Sequence, residues 1–124
     1  MNSAKILLVE DDLFLRDIYV EILSAENFNV AYAVDGEDAL EKIKHERWEL
    51  VLMDINLPKF TGIEVLKKIK EEDPTLMPKL VIFLTNSEEA RNSKELLELA
   101  QGYLIKTDLR PDMLVEKVKK YLSR

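Results

Sequence analysis

The sequence predicts an α/β fold: one doubly wound sheet of five parallel strands with helices on both faces. Three observations lead there. Five short apolar runs punctuate the chain, stretches of helical period separate them, and four of the runs end in a polar residue. Short apolar runs alternating with amphipathic helical segments are the pattern of βαβ units, whose parallel strands need helical crossovers.

The first run, Ile6 to Val9, leads into Glu10-Asp11-Asp12. Leu15, Ile18, Tyr19, Ile22 and Leu23 then recur at helical spacing and draw one apolar stripe along a helix of about three turns. Asp12 suits the N-cap of that helix, because its carboxylate can accept an early unpaired N–H. Phe28 to Ala33 reads as the second strand; its Val30 and Tyr32 share a face, and its more polar, alternating character suits a sheet edge. Asp35-Gly36-Glu37-Asp38 is an acid-rich helix start, with Ala39, Leu40 and Ile43 as the inner face.

The third strand, Leu50 to Met53, runs into Asp54, and Trp48 just ahead of it is read as a partly buried packing residue. After Gly62, the residues Ile63, Leu66 and Ile69 supply a helix that should stop before Pro74. Leu80 to Leu84 forms the fourth strand and ends in Thr85. The segment from Ser87 to Ala100 is read as a helix with a ragged start: Arg91-Asn92-Ser93 is polar, whereas Leu96, Leu97 and Ala100 are periodic. Tyr103-Leu104-Ile105 is the fifth strand and ends in Lys106. Pro111 suits a first helical position, with Leu114, Val115, Val118 and Leu122 following.

The bulk properties bound the function. A chain of 124 residues can bury one substantial core, so a single domain spanning residues 1–124 is expected, with no separate output module. Eighteen basic against twenty-four acidic residues give a formal charge of -6, which disfavours direct binding of DNA or RNA. The absence of Cys excludes disulfides and thiolate metal sites and agrees with a reducing compartment. Neither a signal segment nor a long apolar run is present, so a cytoplasmic protein without membrane insertion is expected. His45, in the charged stretch Lys44-His45-Glu46-Arg47, reads as an exposed helix end rather than a phosphoryl acceptor.

Right-handed crossovers make the flavodoxin-like order 2-1-3-4-5 the common solution for five such strands. The strands ending in Glu10-Asp11, Asp54, Thr85 and Lys106 are then contiguous, and the switch point puts Asp11 beside Asp54. Clustered carboxylates repel one another unless a cation neutralises them. Oxygen donors without Cys suit Mg²⁺: Asp11 and Asp54 directly, Glu10 through water, and the main-chain carbonyl of Asn56. A carboxylate so placed can be a nucleophile toward phosphorus, which makes Asp54 the candidate acceptor. Lys106 can meet one phosphoryl oxygen as a point charge, and the Thr85 hydroxyl can donate to another.

With Leu8-Val9-Glu10-Asp11-Asp12, Met53-Asp54-Ile55-Asn56-Leu57-Pro58 with Gly62, Thr85, and Tyr103-Leu104-Ile105-Lys106 in this order, the chain resembles a receiver domain of two-component response regulators, of the stand-alone, chemotaxis-regulator-like kind. The resemblance covers essentially the whole chain. It implies that Asp54 is phosphorylated by a sensor histidine kinase or His-phosphotransfer protein with Mg²⁺. It further implies that Thr85 moves toward the phosphate while Tyr103 turns inward, which alters the surface of the fourth helix, fifth strand and fifth helix for a downstream protein target. Such a domain is not a conventional enzyme, although it catalyses its own phosphoryl transfer and dephosphorylation.

Two positions depart from the family pattern. Thr107 stands where the family usually has Pro after a cis peptide; a cis bond before a non-proline residue costs about 2.5–4 kcal/mol, so a trans bond and a rearranged loop are expected. Asn86 stands where a small residue is usual, and its amide can touch the phosphoryl group or narrow the approach of water. Three other readings compete with the switch, and one of them, a flavin-binding module on the same fold, lacks a hydroxyl- and glycine-rich phosphate loop after the first strand. A Mg²⁺-dependent phosphatase of haloacid dehalogenase type would need an acid two residues after the nucleophile, where this chain has Asn56. A degenerate, non-phosphorylated receiver would usually lack part of the acid, Thr and Lys set.

Overall fold

The central strands are apolar on both faces, and burial of both faces explains why. In the computed structural model, which describes residues 3–86 and 93–123, β1 (Lys5–Val9), β3 (Leu50–Asp54) and β4 (Val81–Thr85) lie side by side in a five-stranded parallel sheet. The strand order is β2-β1-β3-β4-β5, with β2 (Asn29–Ala33) and β5 (Gly102–Ile105) at the edges. Leu7, Val51 and Val81 are paired across the three central strands, as are Leu8, Leu52 and Ile82 one residue on. Because successive side chains point to opposite faces, each register row feeds one of two core layers.

One layer packs Leu7, Val9, Val51, Met53 and Phe83 against α2 (Gly36–His45), α3 (Gly62–Glu72) and α4 (Lys94–Leu99). The other packs Ile6, Leu8, Leu52, Ile82 and Leu84 against α1 (Leu13–Ser24) and α5 (Pro111–Leu122). The doubly wound architecture and its order are those expected from the sequence. Among the described residues, no helix is long and apolar enough to cross a membrane.

Helix boundaries follow local chemistry. Asp12, Asp35, Thr61 and Ser93 cap α1, α2, α3 and α4 by accepting an early backbone N–H. At α3 the cap is reciprocal, with Glu64 accepting from the Thr61 N–H in return. Helix α3 ends at Glu72, and Pro74 opens a short 3-10 turn (Pro74–Leu76), as Pro should.

Several details differ from the sequence-based expectation. Strand β2 starts at Asn29, and Phe28 instead packs part-buried against the α1/α5 layer. In α4 the buried positions are Leu96 and Leu99, whereas Leu97 is exposed, because a six-residue helix lying on the sheet presents only one narrow stripe. The Ser87–Asn92 part of the expected ragged helix lies outside the described residues. Trp48 is more deeply buried than expected; its indole N–H donates to the Lys42 carbonyl at 2.9 Å, at the amino end of β3 and thus the far end from Asp54.

Candidate functional site

Parallel strands bring all their carboxyl ends to one edge. Glu10 follows β1, Asp54 and Thr85 are the last residues of β3 and β4, and Lys106 follows β5. All four are buried or nearly so, which is unusual for the three charged members, Glu10, Asp54 and Lys106, and requires pairing. The pairing centres on Lys106, whose Nζ donates to Glu10 Oε1 at 2.5 Å and to Asp54 Oδ2 at 2.7 Å. The other Asp54 oxygen, Oδ1, accepts the Asn56 N–H at 3.1 Å. Glu10 Oε2 accepts the Asp12 N–H at 3.3 Å, while the Glu10 N–H donates to the Ala33 carbonyl at 3.2 Å.

Asp11 is the exposed member of the group. Glu10, Asp11 and Asp54 each offer a carboxylate oxygen, and these lie within 4.8 Å of one another. Three acids against one ammonium leave an excess of negative charge. Burial pushes the Glu10 carboxyl above its usual range, and the bonds from Lys106 only partly reverse this. Burial also works against the Lys106 ammonium, but the hydrogen bonds to Asp54 and Glu10 more than offset it, so its pKa is raised and it stays charged.

The acids border an open cleft of about 470 Å³ that Asn56, Asn86, Lys106 and Thr107 also line. A larger groove of about 610 Å³ runs past Trp48 and Met77 at the opposite end of the sheet, away from these acids. Hard oxygen donors, an uncompensated negative charge and an open mouth fit Mg²⁺, which takes few protein ligands and keeps several waters. Asp11, Asp54 and the Asn56 carbonyl would hold it, with Glu10 behind them.

The scaffold explains how Asp54 comes to lie so close to the next helix. The Gly62 N–H donates to the Ile55 carbonyl at 2.9 Å, and a Cβ on Gly62 would lie 2.7 Å from the Asp54 carbonyl oxygen and 2.8 Å from the Phe83 ring. Only glycine fits there. Thr85 is paired in register with Ile105, next to Lys106, so its hydroxyl-bearing side chain belongs to the same edge.

The structure thus brings Glu10, Asp11, Asp54, Asn56, Asn86, Thr85 and Lys106 to one edge. Tyr103 is not in the cleft; it sits opposite Phe83 in register and packs half-buried against the α2/α3/α4 layer. Asp12 caps α1, its Oδ1 accepting the Leu15 N–H at 3.1 Å. His45 is exposed and pairs with Glu41. No cis peptide bond occurs among the described residues, and Lys106–Asp108 forms a 3-10 turn. The peptide after Lys106 is therefore trans, as expected with Thr107 in place of Pro, and Lys106 reaches both acids from the turn that follows β5. The four-carbon stem spans the gap from a backbone that begins at the strand end.

Sequence reasoning missed Arg16. It occupies the buried face of α1, and its Nη1 donates to the Glu10 carbonyl at 3.3 Å. A basic residue one turn before Tyr19 in an otherwise apolar stripe was the available signal.

The response regulator receiver domain family matches residues 6–119. The chain is 33% identical over 122 residues to sporulation initiation phosphotransferase F of Bacillus subtilis, covering 98% of this chain and 96% of that protein. A CheY-like response regulator receiver domain protein from Methanospirillum hungatei superposes with a TM-score of 0.85 at 32% identity, covering 98% of this chain and 95% of that one. Response regulator protein TrrA from Thermotoga maritima, solved in complex with Mg(2+)-BeF, superposes with a TM-score of 0.80 at 32% identity, covering 94% and 97%. The chain spans about half the length of several curated relatives described as transcriptional regulatory proteins, 55% of CrdR from Helicobacter pylori and 50% of ResD from Bacillus subtilis.

Proposed function

The chain belongs to the response regulator receiver domain family, and from that premise we propose that it is a phosphorylation-activated switch whose acceptor is Asp54. The observation that carries this reading is the Lys106 ammonium bridging Glu10 and Asp54 beside the exposed carboxylate of Asp11. The donor in this reading is a sensor histidine kinase or a His-phosphotransfer protein. A Mg²⁺ ion held by Asp11, Asp54 and the Asn56 carbonyl would supply positive charge to the phosphoryl oxygens.

The chain's own residues do the rest. An Asp54 carboxylate oxygen forms the new bond to phosphorus as the bond from phosphorus to the donor's leaving group breaks. Lys106 keeps its proton and offers its charge to a phosphoryl oxygen, and the Thr85 hydroxyl donates to another. Asn86 and Thr107, at the cleft mouth, limit how water reaches the acyl phosphate and so set its lifetime. Thr85 and Tyr103 then carry the change outward to the face formed by α4, β5 and α5, where a downstream protein binds. Direct contact with nucleic acid is not part of this proposal, given the net negative charge. The lack of Cys accords with a cytoplasmic setting.

The haloacid dehalogenase alternative is not favoured, because the residue two beyond Asp54 is Asn56, which cannot serve as general acid. The complete acid, Thr and Lys set speaks against a degenerate receiver. Incubation with acetyl phosphate and Mg²⁺, followed by intact mass measurement, tests the proposal. One phosphoryl group should be added to the native chain and none to Asp54→Asn; equal labelling of both would overturn the assignment.

A further inference from the structure

A buried arginine stands behind the acid loop. Arg16 is 9% exposed, and among the described residues no carboxylate lies within ion-pair distance of it. Burying an unpaired cation is costly, and an apolar residue would have continued the α1 stripe. What the guanidinium does touch is specific. Its Nη1 donates to the Glu10 main-chain carbonyl at 3.3 Å, and its Cζ lies over the Tyr32 ring, 4.7 Å from the centroid.

Glu10 is the residue from which the acid loop departs. Its N–H is held by Ala33, its side chain by Lys106 and the Asp12 N–H, and its carbonyl by Arg16. The carbonyl belongs to the peptide that leads into Asp11, so its orientation sets where the Asp11 backbone, and hence its carboxylate, begins. A planar guanidinium can donate in its own plane while its face rests on an aromatic ring; a lysine ammonium is a point charge and cannot keep both contacts.

We propose that Arg16, seated on Tyr32, is a positioning residue: it fixes the Glu10–Asp11 peptide and so presents the Asp11 carboxylate for the divalent cation. The inference rests on the reading of the acid cluster as a cation site. It also gives the edge strand β2, which contributes no acid to the cleft, a part in shaping it.

The test uses the full chain with Arg16→Lys, Tyr32→Leu and Tyr32→Phe, and two readouts. Mg²⁺ affinity is measured by titration of amide resonances, and hydrogen exchange at the Asp12 amide is measured in metal-free protein. Arg16→Lys should weaken Mg²⁺ binding by about tenfold, as loss of an outer-shell partner does. Tyr32→Leu should weaken it by a smaller factor, and Tyr32→Phe, which keeps the ring, should match the native chain. Asp12 exchange should accelerate in the first two variants only. An arginine of merely structural value would lower the urea midpoint and leave the affinity of the folded protein unchanged.

A folded Arg16→Lys variant with native affinity and native Asp12 exchange would overturn the proposal. If Arg16→Lys does not fold, Tyr32→Leu decides, since Tyr32 is 45% exposed and its ring is not needed for the core; native behaviour there would equally overturn it. If the native chain binds no Mg²⁺, the cation reading fails by itself. Unaccelerated Asp12 exchange in the variants defeats the positioning role independently.

Discussion

Lys106 Nζ lies 2.7 Å from Asp54 Oδ2 and is shared with Glu10, so the cation that would meet a phosphoryl group in the proposed mechanism already pairs with the proposed acceptor carboxylate. The ammonium therefore serves the acids as an internal counter-ion. Lys106→Met should leave the buried carboxylates uncompensated and lower stability in EDTA by about 3–5 kcal/mol, the usual consequence of removing one partner of a buried pair. Added Mg²⁺ should restore more stability to the variant than to the native chain, and it should bind the variant more tightly, because Asp54 no longer has to release Lys106. Urea titrations with and without Mg²⁺ measure both effects; equal metal stabilisation of the two proteins would contradict the counter-ion role.

Asp11 and Asp12 are neighbours in sequence with separate tasks. Asp11 offers its carboxylate to the acid cluster, whereas Asp12 Oδ1 caps α1 through the Leu15 N–H. Asp11→Ala should weaken Mg²⁺ binding and slow phosphorylation. Asp12→Ala should chiefly cost about 0.5–2 kcal/mol of stability. Calorimetric Mg²⁺ titration beside thermal unfolding separates the two, and equal loss of metal affinity in both variants would overturn the division.

Much of this site was legible because a parallel sheet maps strand ends onto one edge: once Val9, Met53, Leu84 and Ile105 are strand residues, Glu10, Asp54, Thr85 and Lys106 must converge. The apolar runs revealed the strands because burial on both faces forbids alternation. What was hidden depends on three-dimensional reach. Nothing in the chain indicates that Lys106 already bridges Glu10 and Asp54, because side-chain reach depends on where the loop after β5 begins. Arg16 was hidden because its partners are a main-chain carbonyl and the Tyr32 ring, neither of which leaves a sequence signature. The exposure of Leu97 was hidden because Leu96, Leu97, Leu99 and Ala100 allow more than one helical phase.

Gly62 should tolerate no side chain. A Cβ there would meet the Asp54 carbonyl oxygen at 2.7 Å and the Phe83 ring at 2.8 Å, and backbone on one side leaves little room to yield. Gly62→Ala should therefore destabilise the protein by about 1–3 kcal/mol, as overpacking does. It should also slow phosphorylation of the folded protein by displacing β3's last residue from Lys106. Denaturation midpoints with single-turnover phosphorylation check this; native rate and stability together would refute the close-approach argument.

The α3 cap provides a pH signature of its own. The Glu64 carboxyl is held below its usual value of 4.5, first by the hydrogen bond from the Thr61 backbone N–H and then by the Thr61 side chain. A carboxyl whose folded pKa is depressed contributes stability that is fully present above its unfolded pKa and is lost as pH falls through the folded one. Glu64→Gln should therefore be less stable than the native chain near neutrality. That gap should hold down to about the ordinary Glu pKa and close on further acidification, when the native Glu64 is itself protonated. Thr61→Ala removes the reciprocal acceptor and should cost about 0.5–2 kcal/mol. Urea midpoints of the native chain and Glu64→Gln across the acid range measure the gap; a difference that widens on acidification would have the wrong sign and would show that Glu64 is not stabilised as a carboxylate.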